Sequence, residues 1–184
     1  MNSKIPEFRE KLQKKLNPGR YEHSLSVAFT CICLAMRYGY PIDQAEVAGM
    51  LHDCAKGYDN DTIIRHCEKK GIEITEDERK APAVLHAKYG AWLAENTYDI
   101  HDQEILDAIA CHTTGKPAMG LLDKILYVAD YIEPRRSKAA NLTAMRKLAF
   151  IDLDEACLEI MESILVYLKS TGCQIDPMTE AACE

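Results

Sequence analysis

Apolar residues recur every three to four positions along nearly the whole chain, and that period builds helices rather than strands. Leu25, Ala28, Phe29, Ile32, Ala35 and Met36 follow it, and Gly39 with Pro41 stops the run. Asp43 and Glu46 stand at capping-box spacing ahead of a stripe at Val47, Ala48, Leu51, Cys54 and Ala55, which closes at Gly57. A short helix is expected over 61–70, closed by Gly71, and another from about Pro82 to Asn96 that carries His86 on its apolar face. Ile105, Ala108, Ile109 and His112 mark a fifth helix, ended by Gly115 and Pro117. A sixth runs through Leu121, Leu122, Ile125, Val128, Ala129 and Ile132 to a stop at Pro134. Asp152 and Glu155 repeat the capping-box spacing before a long helix that ends at Gly172. Period-two alternation of β-branched residues is nearly absent. The expectation is one all-α domain over 1–184, a bundle of about seven to nine helices, with an irregular tail from about 172.

The chain has 184 residues, 47% of them hydrophobic, enough to bury a core without a disulfide or metal staple. Its 22 Lys+Arg against 29 Asp+Glu leave a net charge of −7. That excludes a general nucleic-acid binder and leaves room for a small basic pocket around a small anion. The apolar run Cys31 to Met36 is far short of a bilayer span, so no membrane is expected. The opening residues show no apolar signal-peptide core, so the cytoplasm is expected. The eight cysteines, with no C-x-x-C pair, then read as reduced and mostly structural.

His23 falls in the first turn of an apolar-striped helix. His52 and Asp53 are adjacent near the end of the next, and His86, His112 and Asp130 lie on or beside apolar stripes. A buried His–Asp pair at a helix end costs several kcal/mol unless both groups are paired. A divalent metal supplies that pairing, and imidazole with carboxylate suits Fe, Mn, Co or Zn. No thiolate stands at a ligand spacing, which argues against a structural zinc site. Neighbouring helix positions diverge by about 100°, so His52 and Asp53 can share an ion only at the helix edge. Other helices must complete the shell, and His23 and Asp130 are the natural suppliers.

The order His23, His52-Asp53, Asp130 resembles the signature of the HD-domain metal-dependent phosphohydrolases. Four strings sharpen the likeness to the YqeK-type family of HD proteins: Arg20-Tyr21-Glu22-His23-Ser24, His52-Asp53-Cys54-Ala55-Lys56, His112-Thr113-Thr114-Gly115 and Ala129-Asp130-Tyr131-Ile132-Glu133-Pro134-Arg135-Arg136. The resemblance runs from about residue 5 to the tail. It implies symmetrical hydrolysis of dinucleoside tetraphosphates, with diadenosine tetraphosphate giving two ADP. It implies iron on His23, His52, Asp53 and Asp130, although the residues themselves do not separate iron from manganese, cobalt or nickel. A homodimer is left open. The tail departs from the family pattern at Gln174-Ile175-Asp176-Pro177-Met178-Thr179, which touches the base and ribose contacts rather than the metal chemistry.

The remaining cations fit a phosphate site. Lys56 lies four residues after His52, on the same helix face one turn on. Arg136 and Arg20 can each present a planar fork to phosphate oxygens. Asp53 is expected to orient or deprotonate the attacking water. Lys56, His86, His112 and Arg136 are expected to stabilise the transition state. Substrate contacts are expected from Arg20, His23, Lys56, His86, His112, Thr113, Asp130 and Arg136. His86 and His112 are read as phosphate contacts, with a second metal as the other role. The rival functions are an HD-type hydrolase of another nucleotide and a non-catalytic ADP sensor.

Overall fold

Three of the helices begin at a side chain that caps them. Asn17 accepts the Arg20 N–H at 2.9 Å, Asp59 that of Thr62 at 2.8 Å, and Asp152 that of Glu155 at 3.0 Å. Gly39, Gly71 and Gly172 close the same three helices in the left-handed conformation. The computed structural model describes residues 4–139, 141–172 and 174–183. In order they form α1 (Ile5–Lys15), α2 (Pro18–Tyr38), α3 (Ile42–Leu51), α4 (Asn60–Lys70), α5 (Glu76–Lys80) and a single 3₁₀ turn (Pro82–Val84). Then follow α6 (Leu85–Tyr98), α7 (Gln103–Cys111), α8 (Leu121–Ile132), α9 (Leu142–Leu148), α10 (Leu153–Thr171) and α11 (Pro177–Ala181). No strand occurs among the described residues, so the all-α expectation holds.

Five details differ from the sequence reading. There are eleven α-helices among the described residues, because the five-residue α5 and α11 and the seven-residue α9 are too short to show a period. The tail is not wholly irregular: Asp176 accepts the Met178 N–H at 2.9 Å and opens α11. α3 starts after Pro41, so Asp43 lies inside its first turn rather than at the cap. α2 starts at Pro18, which puts His23 in its second turn. The fourth helix of the reading divides into the 3₁₀ turn and α6.

The most consequential difference lies after α3. The helix ends at Leu51, and the chain continues in tight turns in place of α-helix up to Gly57. Cys54 N–H bonds Leu51 O at 3.0 Å and Lys56 N–H bonds Asp53 O at 2.9 Å. This i→i+3 winding is tighter than an α-helix. A Cβ at Gly57 would stand 2.6 Å from the Lys15 carbonyl oxygen, so the turn is seated against the end of α1.

α2 and α3 cross at the centre, with α8 lying across α2, α7 and α10. Leu34, Leu51, Ile109, Ile125 and Leu126 are fully buried there. The crossing is close because Gly49 has no side chain. A Cβ there would meet Ala28 Cα at 2.7 Å and Cys31 Sγ at 3.0 Å. Gly49→Ala gains about 0.8–1 kcal/mol of helix propensity. It forces two backbones apart, at a cost of about 1–3 kcal/mol. A net loss of stability is therefore expected, read as a lower urea midpoint at unchanged slope. A midpoint at or above wild type would show that the crossing can relax.

Candidate metal centre

Four histidines reach one end of this core, and each has one ring nitrogen already committed. His52 and His112 are the C-cap residues of α3 and α7. Their Nδ1 atoms donate to Gly49 O at 2.8 Å and Ile109 O at 2.7 Å. His86, in the first turn of α6, donates from Nδ1 to Ala83 O at 2.6 Å. His23 Nδ1 lies 3.2 Å from Glu133 Oε1. With Nδ1 as donor, a neutral ring presents the Nε2 lone pair to the site. Such outer partners are what orient histidine ligands in metal sites.

The Nε2 atoms converge on two carboxylates. His23 Nε2 lies 3.1 Å from Asp130 Oδ1 and 3.8 Å from Asp53 Oδ2, and His52 Nε2 lies 3.5 Å from Asp53 Oδ2. Asp53 divides its oxygens: its Oδ1 faces His86 Nε2 at 3.3 Å and His112 Nε2 at 3.6 Å. His86 Nε2 and His112 Nε2 are 3.2 Å apart, and Thr113 Oγ1 lies 3.2 Å and 3.4 Å from them.

This donor set fits a divalent cation. His23 Nε2 and His52 Nε2 are buried with no hydrogen-bond partner. Lone pairs facing carboxylate oxygens repel unless positive charge stands between them. His23, His52 and Asp130 each place a ligand atom within 4.8 Å of the others, and so do His52, Asp53 and His112. Two nitrogens with carboxylate oxygens are donors for a transition ion. The same field acts on protons. Burial pushes His52 down, but the charge and hydrogen bond of Asp53, the charge of Asp130 and the Gly49 bond together raise its pKa. Burial raises Asp53, yet His52 and hydrogen bonds from His112 and His86 hold it well below the usual carboxylate range. Asp130 is likewise held down by His23, His52 and Arg136 against its burial. Burial lowers His86 to about 4, which leaves that ring neutral near pH 7.

Beside the cluster is a cavity of about 200 Å³ lined by Arg20, Lys56, His86, His112, Thr113, Tyr127, Tyr131, Arg136 and Ile164, with Asp53 and Asp130 at its floor. The three cations expected at a phosphate are therefore together. Two of them also hold the carboxylates. Arg20 Nη1 lies 2.7 Å from Asp53 Oδ2, and Arg136 donates to Asp130 Oδ1 and to its carbonyl oxygen, each at 3.0 Å. Lys56 makes no ion pair among the described residues, and burial depresses its pKa. Thr113 also lines a second cavity, of about 370 Å³, whose wall includes Lys88, Lys116 and, from the tail, Asp176 and Met178.

Every residue singled out from the sequence thus reaches this one region. Glu133 was missed as a site residue. It is buried, lies against the His23 ring nitrogen, and accepts the Arg135 N–H at 2.7 Å through its other oxygen. Its place three residues after Asp130, in the string before Pro134, was the available signal.

The HD domain family model matches residues 20–135. The symmetrical bis(5'-nucleosyl)-tetraphosphatase of Bacillus subtilis is 36% identical over 170 residues, covering 91% of this chain and 89% of that protein. The protein of the same name from Staphylococcus aureus is 34% identical, covering 89% and 84%. A crystal structure from Clostridium acetobutylicum, described as a predicted HD superfamily hydrolase involved in NAD metabolism, superposes with a TM-score of 0.94. It is 35% identical and covers 97% of this chain and 94% of that one.

Proposed function

Because this chain belongs to the HD-domain family, and within it to the group of the symmetrical bis(5'-nucleosyl)-tetraphosphatases, we propose that it hydrolyses diadenosine tetraphosphate and related dinucleoside tetraphosphates at the centre of the bridge. The observation that carries this reading is the pair of unpartnered Nε2 atoms of His23 and His52. They meet Asp53 and Asp130 at the floor of a cavity walled by Arg20, Lys56 and Arg136. Metal ligands and phosphate cations then share one small space, as phosphoryl transfer requires.

In this reading His23, His52, Asp53 and Asp130 hold a divalent metal, with iron the choice implied by the family resemblance. When bound, such an ion lowers the pKa of water and draws charge off a phosphoryl oxygen. Asp53, held as an anion, orients the attacking water from its cavity-facing side. Lys56 and Arg136 neutralise the charge that builds on the phosphoryl oxygens, and Thr113 offers a hydroxyl to the same group. Arg20 fixes Asp53 and borders the path of the leaving diphosphate. His86 and His112 are assigned to phosphate contact from the cavity wall. The reaction takes place in the cytoplasm. Among the described residues no helix is long and apolar enough to cross a membrane. A homodimer is kept open and is decided by light scattering.

One observation favours a second role for His86 and His112. Both donate from Nδ1 to carbonyls, so in neutral rings two Nε2 lone pairs face each other at 3.2 Å beside Asp53 Oδ1. A second cation there removes the conflict as well as a proton does. Metal analysis separates the roles: two equivalents per chain mean a second ion, one means phosphate contact.

The reading is tested by its regiochemistry. ADP is expected as the sole nucleotide product. In oxygen-18 water one heavy oxygen is expected on the terminal phosphate of one of the two ADP molecules. Equal ATP and AMP early in the time course would refute central cleavage. Turnover of another nucleotide in preference, at equal metal load, would support the rival hydrolase. Tight ADP binding with no turnover would support the sensor.

A further inference from the structure

We propose that the Tyr127 hydroxyl is a hydrogen-bond partner of the bound nucleotide, on its sugar side. The proposal rests on the nucleotide reading of the cavity given above. Tyr127 is 3% exposed, and its hydroxyl is buried with no hydrogen-bond partner. A buried hydroxyl without a partner is destabilising by comparison with phenylalanine, and on a residue that lines the cavity it points to a ligand.

The ring lines the same 200 Å³ cavity as Asp130 and Tyr131, which follow it on α8 by three and four residues and so share its face. Two of the three phosphate cations come from elsewhere, while Arg136 follows α8 and bonds Asp130. Arg20 is at the start of α2 and Lys56 is in the turn after α3. Tyr127 lines the cavity together with the apolar Ile164 of α10, and its surroundings include Cys157 of α10 and Cys183 after α11. A nucleotide with its phosphates at Arg20, Lys56 and Arg136 would extend its sugar toward Tyr127 and Ile164. A neutral phenol suits a sugar hydroxyl there, and burial raises its pKa, so it stays protonated as a donor.

Tyr98 is a useful contrast. Its hydroxyl is also buried and unpartnered, but its ring packs edge-on against Phe8 in the core, and it does not line the catalytic cavity.

The test uses the metal-loaded protein and calorimetric binding of ADP and of inorganic pyrophosphate. Tyr127→Phe is expected to weaken ADP about three- to tenfold, the range for one neutral hydrogen bond, and to leave pyrophosphate unchanged. The ligand-free variant is expected to melt at or above the wild-type temperature. Tyr98→Phe should bind ADP as wild type does. Unchanged ADP affinity in Tyr127→Phe overturns the proposal. So does an equal loss for pyrophosphate, which would put the contact on phosphate. A lower ligand-free melting temperature also overturns it, since the hydroxyl would then have a protein partner. Wild-type protein that neither binds ADP nor cleaves the dinucleotide would fail the functional reading itself, and would do so whatever Tyr127→Phe shows.

Discussion

His52→Ala is expected to lose stoichiometric metal and hydrolysis together. The ring is fully buried, pinned through Nδ1 to Gly49 O, and aims Nε2 at Asp53 Oδ2 from 3.5 Å. Alanine removes a donor that no neighbour can replace. Loss of an outer partner of a metal ligand costs about 10- to 100-fold in affinity, and loss of the ligand itself should exceed that. Elemental analysis of protein purified without added metal gives the first readout and a dinucleotide assay of the same sample the second. A helical circular dichroism spectrum equal to wild type separates metal loss from unfolding. Full metal retention in a folded variant would remove His52 from the ligand set.

Lys56→Ala and Arg136→Ala should do the opposite, keeping the metal and losing turnover. Lys56 is the cleaner probe, because it lines the cavity, makes no ion pair among the described residues, and has a pKa depressed by burial. A phosphate beside it would complete a charge-assisted contact worth about 1.5–3 kcal/mol. If that contact holds in the transition state, kcat/KM falls about ten- to a hundredfold or somewhat more. Arg136 also bonds Asp130 through its side-chain and carbonyl oxygens, so its variant is the less clean of the two. Wild-type kinetics in both variants would reduce these cations to solvated surface charge.

The contrast between these variants depends on geometry that no spacing in the chain reveals. From the sequence, His52 and Lys56 share a helix face one turn apart. In the structure α3 stops at Leu51, and tight turns let His52, Asp53 and Lys56 all reach the site. The turn forms because Gly57 lets the chain close on the Lys15 carbonyl, a contact between segments far apart in sequence. Arg20 and Arg136 were legible as cations, but not as the partners of Asp53 and Asp130.

The sequence by itself determined the longer helices, because backbone hydrogen bonds four residues apart and a 3.6-residue apolar stripe are local and repeat many times. It also determined the chemical inventory, since imidazole and carboxylate in the order His23, His52-Asp53, Asp130 have few other uses together. The tertiary structure decided what those groups do to one another. His23 meets Glu133 across 110 positions, Asp53 turns one oxygen to His52 and the other to His86, and Tyr127 is left with a buried hydroxyl at the cavity wall. These are long-range contacts set by how α2, α3, α7 and α8 cross. A crossing depends on side-chain volume at single points such as Gly49, which carries no periodic signal along the chain.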